Sequence, residues 1–180
     1  VIGNDLESLD LWPKRSVNRR LRFRKKVFTP FELEWLQRQS SADHAEVVLW
    51  CAKESVYKAW HRLTSERKFA PKDFEIHPRE VYLMSSSLYK CEMADYSFHG
   101  KWWTKSGVVH SIAALQDIPL DSLSYQIGNK GLRTKYLEKS FKDERGCLWV
   151  EGDGKLWPIS RSHSDRLTAE LTLEVGSYKL

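Results

Sequence analysis

The chain has 180 residues, a formal net charge of +5 and 41% hydrophobic residues, with eight Trp among its 12% aromatics. A chain of this length buries roughly 70% of its unfolded surface, enough for one substantial domain. No stretch approaches the ~20 apolar residues of a membrane span, and the three cysteines (Cys51, Cys91, Cys147) are too scattered for a disulfide framework or a Cys-x-x-Cys zinc site.

The expected setting is therefore a reducing compartment, the cytoplasm, with no membrane contact. The first residues read as a charged strand and not as a signal peptide, and numbering from Val1 leaves room for an upstream segment. In that strand, Val1–Glu7, period two puts Asp5 and Glu7 on one face and Leu6 on the other. Two carboxylates pointing the same way repel unless water separates them or a cation bridges them. Octahedral Mg²⁺ suits such a pair, because it accepts a few carboxylate oxygens and keeps positions for water and phosphate oxygens. A solvated edge strand is the plainer alternative.

Between Lys14 and Lys26 stand eight Lys or Arg, and no acid occurs from Leu11 through Phe31. So dense a run repels itself unless an anionic partner answers it. Arg19, Arg22 and Lys26 share one helical face and are the residues expected to dock that partner. Nucleic acid is disfavoured, since only Phe23 and Phe28 interleave and no stacking platform results. Thr29-Pro30 with Glu32 reads as a helix start, the helix running to about Gln39.

From Ala45 to Leu63 there is no Gly or Pro, and Val48, Leu49, Ala52, Val56, Ala59, Trp60 and Leu63 gather on one helical face. Glu54, Lys58 and His61 fall opposite, with Val47, Trp50 and Cys51 around them. Glu54 and Lys58 are thus expected side by side, a carboxylate and an ammonium one turn apart. A surface ion pair would look the same, but Trp50 and Val47 imply that this face meets another element. Together with Asp5 and Glu7, the residues offer hard ligands for magnesium and a cation for a phosphate, which suggests an enzyme handling a diphosphate.

After a loop through Lys68–Pro71, residues Phe74–Leu83, Tyr89–Phe98 and Val108–Leu115 read as strands of a sheet packed on the long helix. Leu123–Lys142 is basic and expected to be helical after Gly131. Cys147–Val150, Leu156–Ser160 and Leu167–Val175 read as short strands around the turn Gly152-Asp153-Gly154. The class is α+β, in one domain over 1–180, with 1–115 bearing most motifs and 116–180 forming a C-terminal part.

Gly3-Asn4-Asp5-Leu6-Glu7, Arg22-Phe23, Val27-Phe28-Thr29-Pro30-Phe31-Glu32 and Trp50-Cys51-Ala52-Lys53-Glu54-Ser55-Val56-Tyr57-Lys58-Ala59 occur in that order. This series resembles the 4'-phosphopantetheinyl transferase superfamily, with a motif order similar to holo-acyl-carrier-protein synthases. Ile159-Ser160-Arg161-Ser162-His163-Ser164 resembles the family's Ser-x-Ser-His strand end. The resemblance covers roughly 1–76 and 146–175. It implies a 4'-phosphopantetheinyl transferase-like fold, an antiparallel sheet on a long helix. It also implies transfer of the phosphopantetheine arm of coenzyme A to a serine of an acyl or peptidyl carrier protein, as in fatty-acid biosynthesis, with release of 3',5'-ADP.

By position the resemblance implies Asp5, Glu7 and Glu54 as Mg²⁺ ligands, and Lys58 on the diphosphate and aiding the leaving group. Glu54, Glu7 or a metal-bound water would take the proton. Ser162 and His163 would contact coenzyme A, with His110-Ser111 as a rival for that element. Arg19, Arg22 and Lys26 would dock an acidic carrier protein. Short members of the family are trimers and longer ones fold two similar halves into a monomer; a homo-oligomer is the slightly favoured expectation here. A non-enzymatic basic binding module, for nucleic acid or an acidic protein, is the alternative.

Overall fold

The structure is a computed structural model and describes residues 1–12, 17–79, 86–129, 140–152, 154–164 and 167–173. Three helices, α1 (Val17–Val27), α2 (Pro30–Gln37) and α3 (Ala42–Thr64), follow a first strand, β1 (Ile2–Ser8). Among the described residues nine further strands are β2 (His77–Pro78), β3 (Ser86–Met93), β4 (Tyr96–Lys105), β5 (Val108–Leu115), β6 (Leu123–Asn129), β7 (Ser140–Lys142), β8 (Leu148–Gly152), β9 (Lys155–Ser164) and β10 (Leu167–Leu173). All pairings are antiparallel, and they form two five-stranded sheets, ordered β1-β5-β4-β3-β2 and β6-β10-β9-β8-β7. Among the described residues no helix is long and apolar enough to cross a membrane.

Local chemistry explains the punctuation. Thr29 caps α2 in a reciprocal box with Glu32, and Pro30 follows as the first helical residue. The β4–β5 hairpin turns on Ser106 and Gly107, both at positive φ, the two-residue geometry that matches strand twist. Val47, Val48, Leu49, Ala52, Val56 and Ala59 of α3 are fully buried against Phe98, Val109 and Ala113 of the first sheet. The opposite face of β1 and β5 carries a smaller apolar cluster, Ile2, Ile112 and Ala114, with Leu123 and Leu171 of the second sheet. β1 is therefore covered on both faces, by α3 and by β9–β10.

Several expectations change. There are two sheets where one was expected. Leu123–Asn129 is strand β6, paired with β10; of the stretch after Gly131 expected to be helical, Ser140–Lys142 is strand β7, and residues 130–139 lie outside the described part. In β6 Leu123 is buried, but the alternate apolar positions Tyr125 and Ile127 are exposed, so the pattern does not single out an interior face. Tyr89–Phe98 is broken at Ala94, whose φ is positive, into β3 and β4. Of the described part of Phe74–Leu83 only His77–Pro78 is strand; residues 80–85 lie outside the described part, as do Lys14, Arg15, Asp153 and residues 174–175.

Candidate active site

The site starts from a glycine. A Cβ on Gly3 would lie 2.1 Å from the Ser55 carbonyl oxygen and 2.7 Å from the Ala59 nitrogen, so only glycine lets β1 lie directly on the α3 backbone. Period two then delivers Asp5 and Glu7 to the same helix. Lys58 Nζ meets Asp5 Oδ1 at 2.8 Å and the Asn4 carbonyl at 2.9 Å. The expected Glu54–Lys58 pair is replaced by this cross-element one, because the close approach brings Asp5 within reach of the ammonium.

Asp5 Oδ2 is buried and makes no hydrogen bond. Glu7 accepts from Trp50 Nε1 on one oxygen and from Ser164 Oγ on the other, each at 3.3 Å. Burial pushes the Glu54 carboxyl up to about 7, and the Asp5 and Glu7 charges add to this against the opposing effect of Lys58. Burial, with the same two charges, also drives the Cys51 thiol well up, so it is inert as a thiolate.

Negative charge is thus in surplus around an orphaned carboxylate oxygen, and the donors are all oxygen. That is the donor chemistry of a hard divalent cation, and Asp5, Glu7 and Glu54 fit magnesium by type. They are not gathered around one point: among the described residues no three His, Cys, Asp or Glu side chains form a ready metal cluster, and Lys58 is the cation beside Asp5.

The second face of β1 is built differently. Asn4 donates from its backbone to Ser160 Oγ at 2.9 Å and from its side chain to the Ala169 carbonyl at 3.3 Å and Ser162 Oγ at 3.5 Å. Its amide also lies 3.3 Å from His110 Nε2. Burial holds His110 down at about 3, so it is neutral there, packed between Trp103 and Tyr125. Ser162 is buried on this interior row, whereas His163 is exposed on the other face of β9; the two expected coenzyme A contacts point apart. Arg161 pairs across strands with Glu170.

On α1, Arg19, Arg22 and Lys26 are exposed and form no ion pair among the described residues, while Arg20 and Arg24 turn back to Asp43 and the fully buried Glu46. Phe23 packs edge-on against Trp50, which links the basic helix to the Glu7 contact. The sequence reading missed Trp50 as a donor to Glu7, although its spacing of four from Glu54 put it on the right face. It also missed Ser164, whose alternation with Ser160 and Ser162 was the available signal.

A family model described as the 4'-phosphopantetheinyl transferase superfamily matches residues 1–113. The chain belongs to that superfamily. It is also similar to the 4'-phosphopantetheinyl transferase Npt of Nocardia iowensis, 51% identical over 39 residues. That match spans 22% of this chain and 18% of the length of its relative.

Proposed function

We propose that this member of the 4'-phosphopantetheinyl transferase superfamily is a Mg²⁺-dependent enzyme of the holo-acyl-carrier-protein synthase type, acting in the cytoplasm on acyl or peptidyl carrier proteins. The observation that carries the reading is the surplus of carboxylate around Asp5, with Oδ2 unpartnered, next to a lysine. Asp5, Glu7 and Glu54 would hold the ion, which when bound would supply charge neutralisation at the coenzyme A diphosphate.

The serine oxygen of the carrier attacks the β-phosphorus, a new phosphodiester forms, and the anhydride bond to 3',5'-ADP breaks. Lys58, drawn off Asp5, meets the diphosphate and offsets charge on the leaving phosphate. Glu54 or Glu7 would take the serine proton. Of the two candidate histidines, the exposed His163 is the one open to a coenzyme A phosphate, whereas the neutral, enclosed His110 is not. The exposed Arg19, Arg22 and Lys26 would receive the acidic carrier.

Mass spectrometry of apo acyl and peptidyl carrier proteins incubated with this chain, coenzyme A and Mg²⁺ tests the reading. One added phosphopantetheine mass, lost with EDTA and in Asp5→Asn, is expected. No gain on either carrier class, or a fully active Asp5→Asn, would overturn it.

A further inference from the structure

Resting on the reading that Glu7 holds the metal ion, we infer that Ser164 is a positioning residue for Glu7, so that the C-terminal sheet is part of the active site. Ser164 lies on β9, beyond the 1–113 span of the family match. Its hydroxyl accepts from the Ser8 backbone N–H at 3.1 Å. A hydroxyl has one hydrogen, and with one of its two lone pairs engaged by Ser8 that hydrogen is directed to Glu7 Oε2, 3.3 Å away. Trp50, from α3, donates to Oε1. Two donors from opposite elements, α3 and β9, thus each hold one oxygen of the carboxylate. Partners of this kind orient ligands and raise metal affinity.

Ser160 provides an internal control. It bonds the Asn4 N–H at 2.9 Å as Ser164 bonds that of Ser8, but it touches no carboxylate. Both serines clasp the edge of β1 that β5 leaves unpaired, since β1 stands at the end of its sheet. Only Ser164 adds a contact to a proposed ligand.

The test is direct binding of Mn²⁺ alone, counted by the free-ion electron paramagnetic resonance signal, with thermal melting of each variant alongside. Ser164→Ala should raise the Mn²⁺ dissociation constant about tenfold, and Ser164→Thr should restore it. Ser160→Ala should lower the melting temperature as much as Ser164→Ala and leave Mn²⁺ affinity unchanged. Should Ser164→Ala fail to fold, Ser164→Cys, similar in size and a weak donor, makes the same comparison. Equal affinity in wild type and Ser164→Ala, or an equal loss in Ser160→Ala, would overturn the inference. The underlying reading fails separately: wild-type protein without saturable Mn²⁺ binding sinks both, whereas binding abolished in Asp5→Asn but untouched in Ser164→Ala sinks this inference alone.

Discussion

Lys53 and Lys58 stand on the same helix, and each meets a carboxylate delivered by another element, yet their surroundings differ in kind. Lys53 pairs with Glu32 at 2.7 Å with both side chains fully buried. Its remaining hydrogens go to the Pro71 and Phe74 carbonyls, and Glu32 accepts from the Thr29 and Ile76 amides. Burial pushes Lys53 down and Glu32 up, and each charge holds the other against that pressure. The Lys58–Asp5 pair is partly open, at 28% and 11% side-chain exposure, with one aspartate oxygen unpartnered and Glu54 shifted beside it. Identical chemistry therefore serves two ends. Where every polar atom is answered, the pair ties α2, α3 and the segment through Ile76 together; in the other pair a carboxylate oxygen is left unanswered.

Breaking one partner of each pair should separate the roles. Glu32→Ala leaves a buried ammonium uncompensated and should cost about 3–5 kcal/mol of stability, read by urea unfolding. The double replacement Glu32→Leu with Lys53→Met should recover much of that loss, because it removes both charges. Lys58→Ala should cost less, about 1–3 kcal/mol, because the pair is partly open although Asp5 loses a bonded cation. Its loss should appear in phosphopantetheine transfer, with kcat down about 10²–10³-fold, comparable to removing one donor from a site that stabilises developing charge. If Lys58→Ala unfolds the protein while Glu32→Ala does not, the contrast between the two pairs is wrong.

The members of the open pair were legible in the sequence, though not their pairing, and the closed pair was not, for a physical reason. Asp5 and Glu7 follow from strand alternation, and Glu54 and Lys58 from helical spacing, both of which are local rules. Lys53 occupies a position that a hydrophobic pattern assigns to neither face, since a lysine at full burial is rare unless paired, and its partner lies on a different helix. Gly3 was visible as a glycine, but its purpose depends on how closely β1 and α3 pack. Ser164 lies far along the chain from Glu7, and its alternation with Ser160 and Ser162 gives its face on β9 but not how β9 sits on the edge of β1. The second sheet escaped for a related cause. β6 is a sheet edge that buries Leu123 but leaves Tyr125 and Ile127 exposed, so its apolar alternation does not mark an interior.

Glu54 sharpens the contrast through pH. Its folded value of about 7 lies above its ordinary carboxyl value, so the native state binds the proton more tightly than the unfolded chain. Without metal, stability should be greatest below the ordinary value and fall as pH rises towards 7, then level off. Glu54→Gln removes that decline. In EDTA it should be more stable than wild type by about 3 kcal/mol at pH 8, with no difference at pH 4, and it should be inactive at both. Mg²⁺ should raise the melting temperature of wild type at pH 8 and leave the variant unmoved. A variant that melts with the wild type throughout would mean that the carboxyl is not under the strain its neighbours imply.

The same division runs through α1, where the effects should be smallest. Arg24 donates to the buried Glu46 at 2.6 Å and is part of the frame, whereas Arg22 and Lys26 face outward. Replacing both outward residues by Glu should raise KM for an acidic carrier severalfold at low salt and leave kcat in place. Exposed charges act over about a Debye length, ~10 Å at 0.1 M salt, so the difference should shrink towards nothing near 1 M salt. Arg24→Ala should do the reverse, lowering the melting temperature by an amount that salt hardly touches, because its partner is out of solvent. If reversing Arg22 and Lys26 left KM unchanged at every salt concentration, the carrier would have to dock elsewhere, and the outward charge of this helix would need another partner.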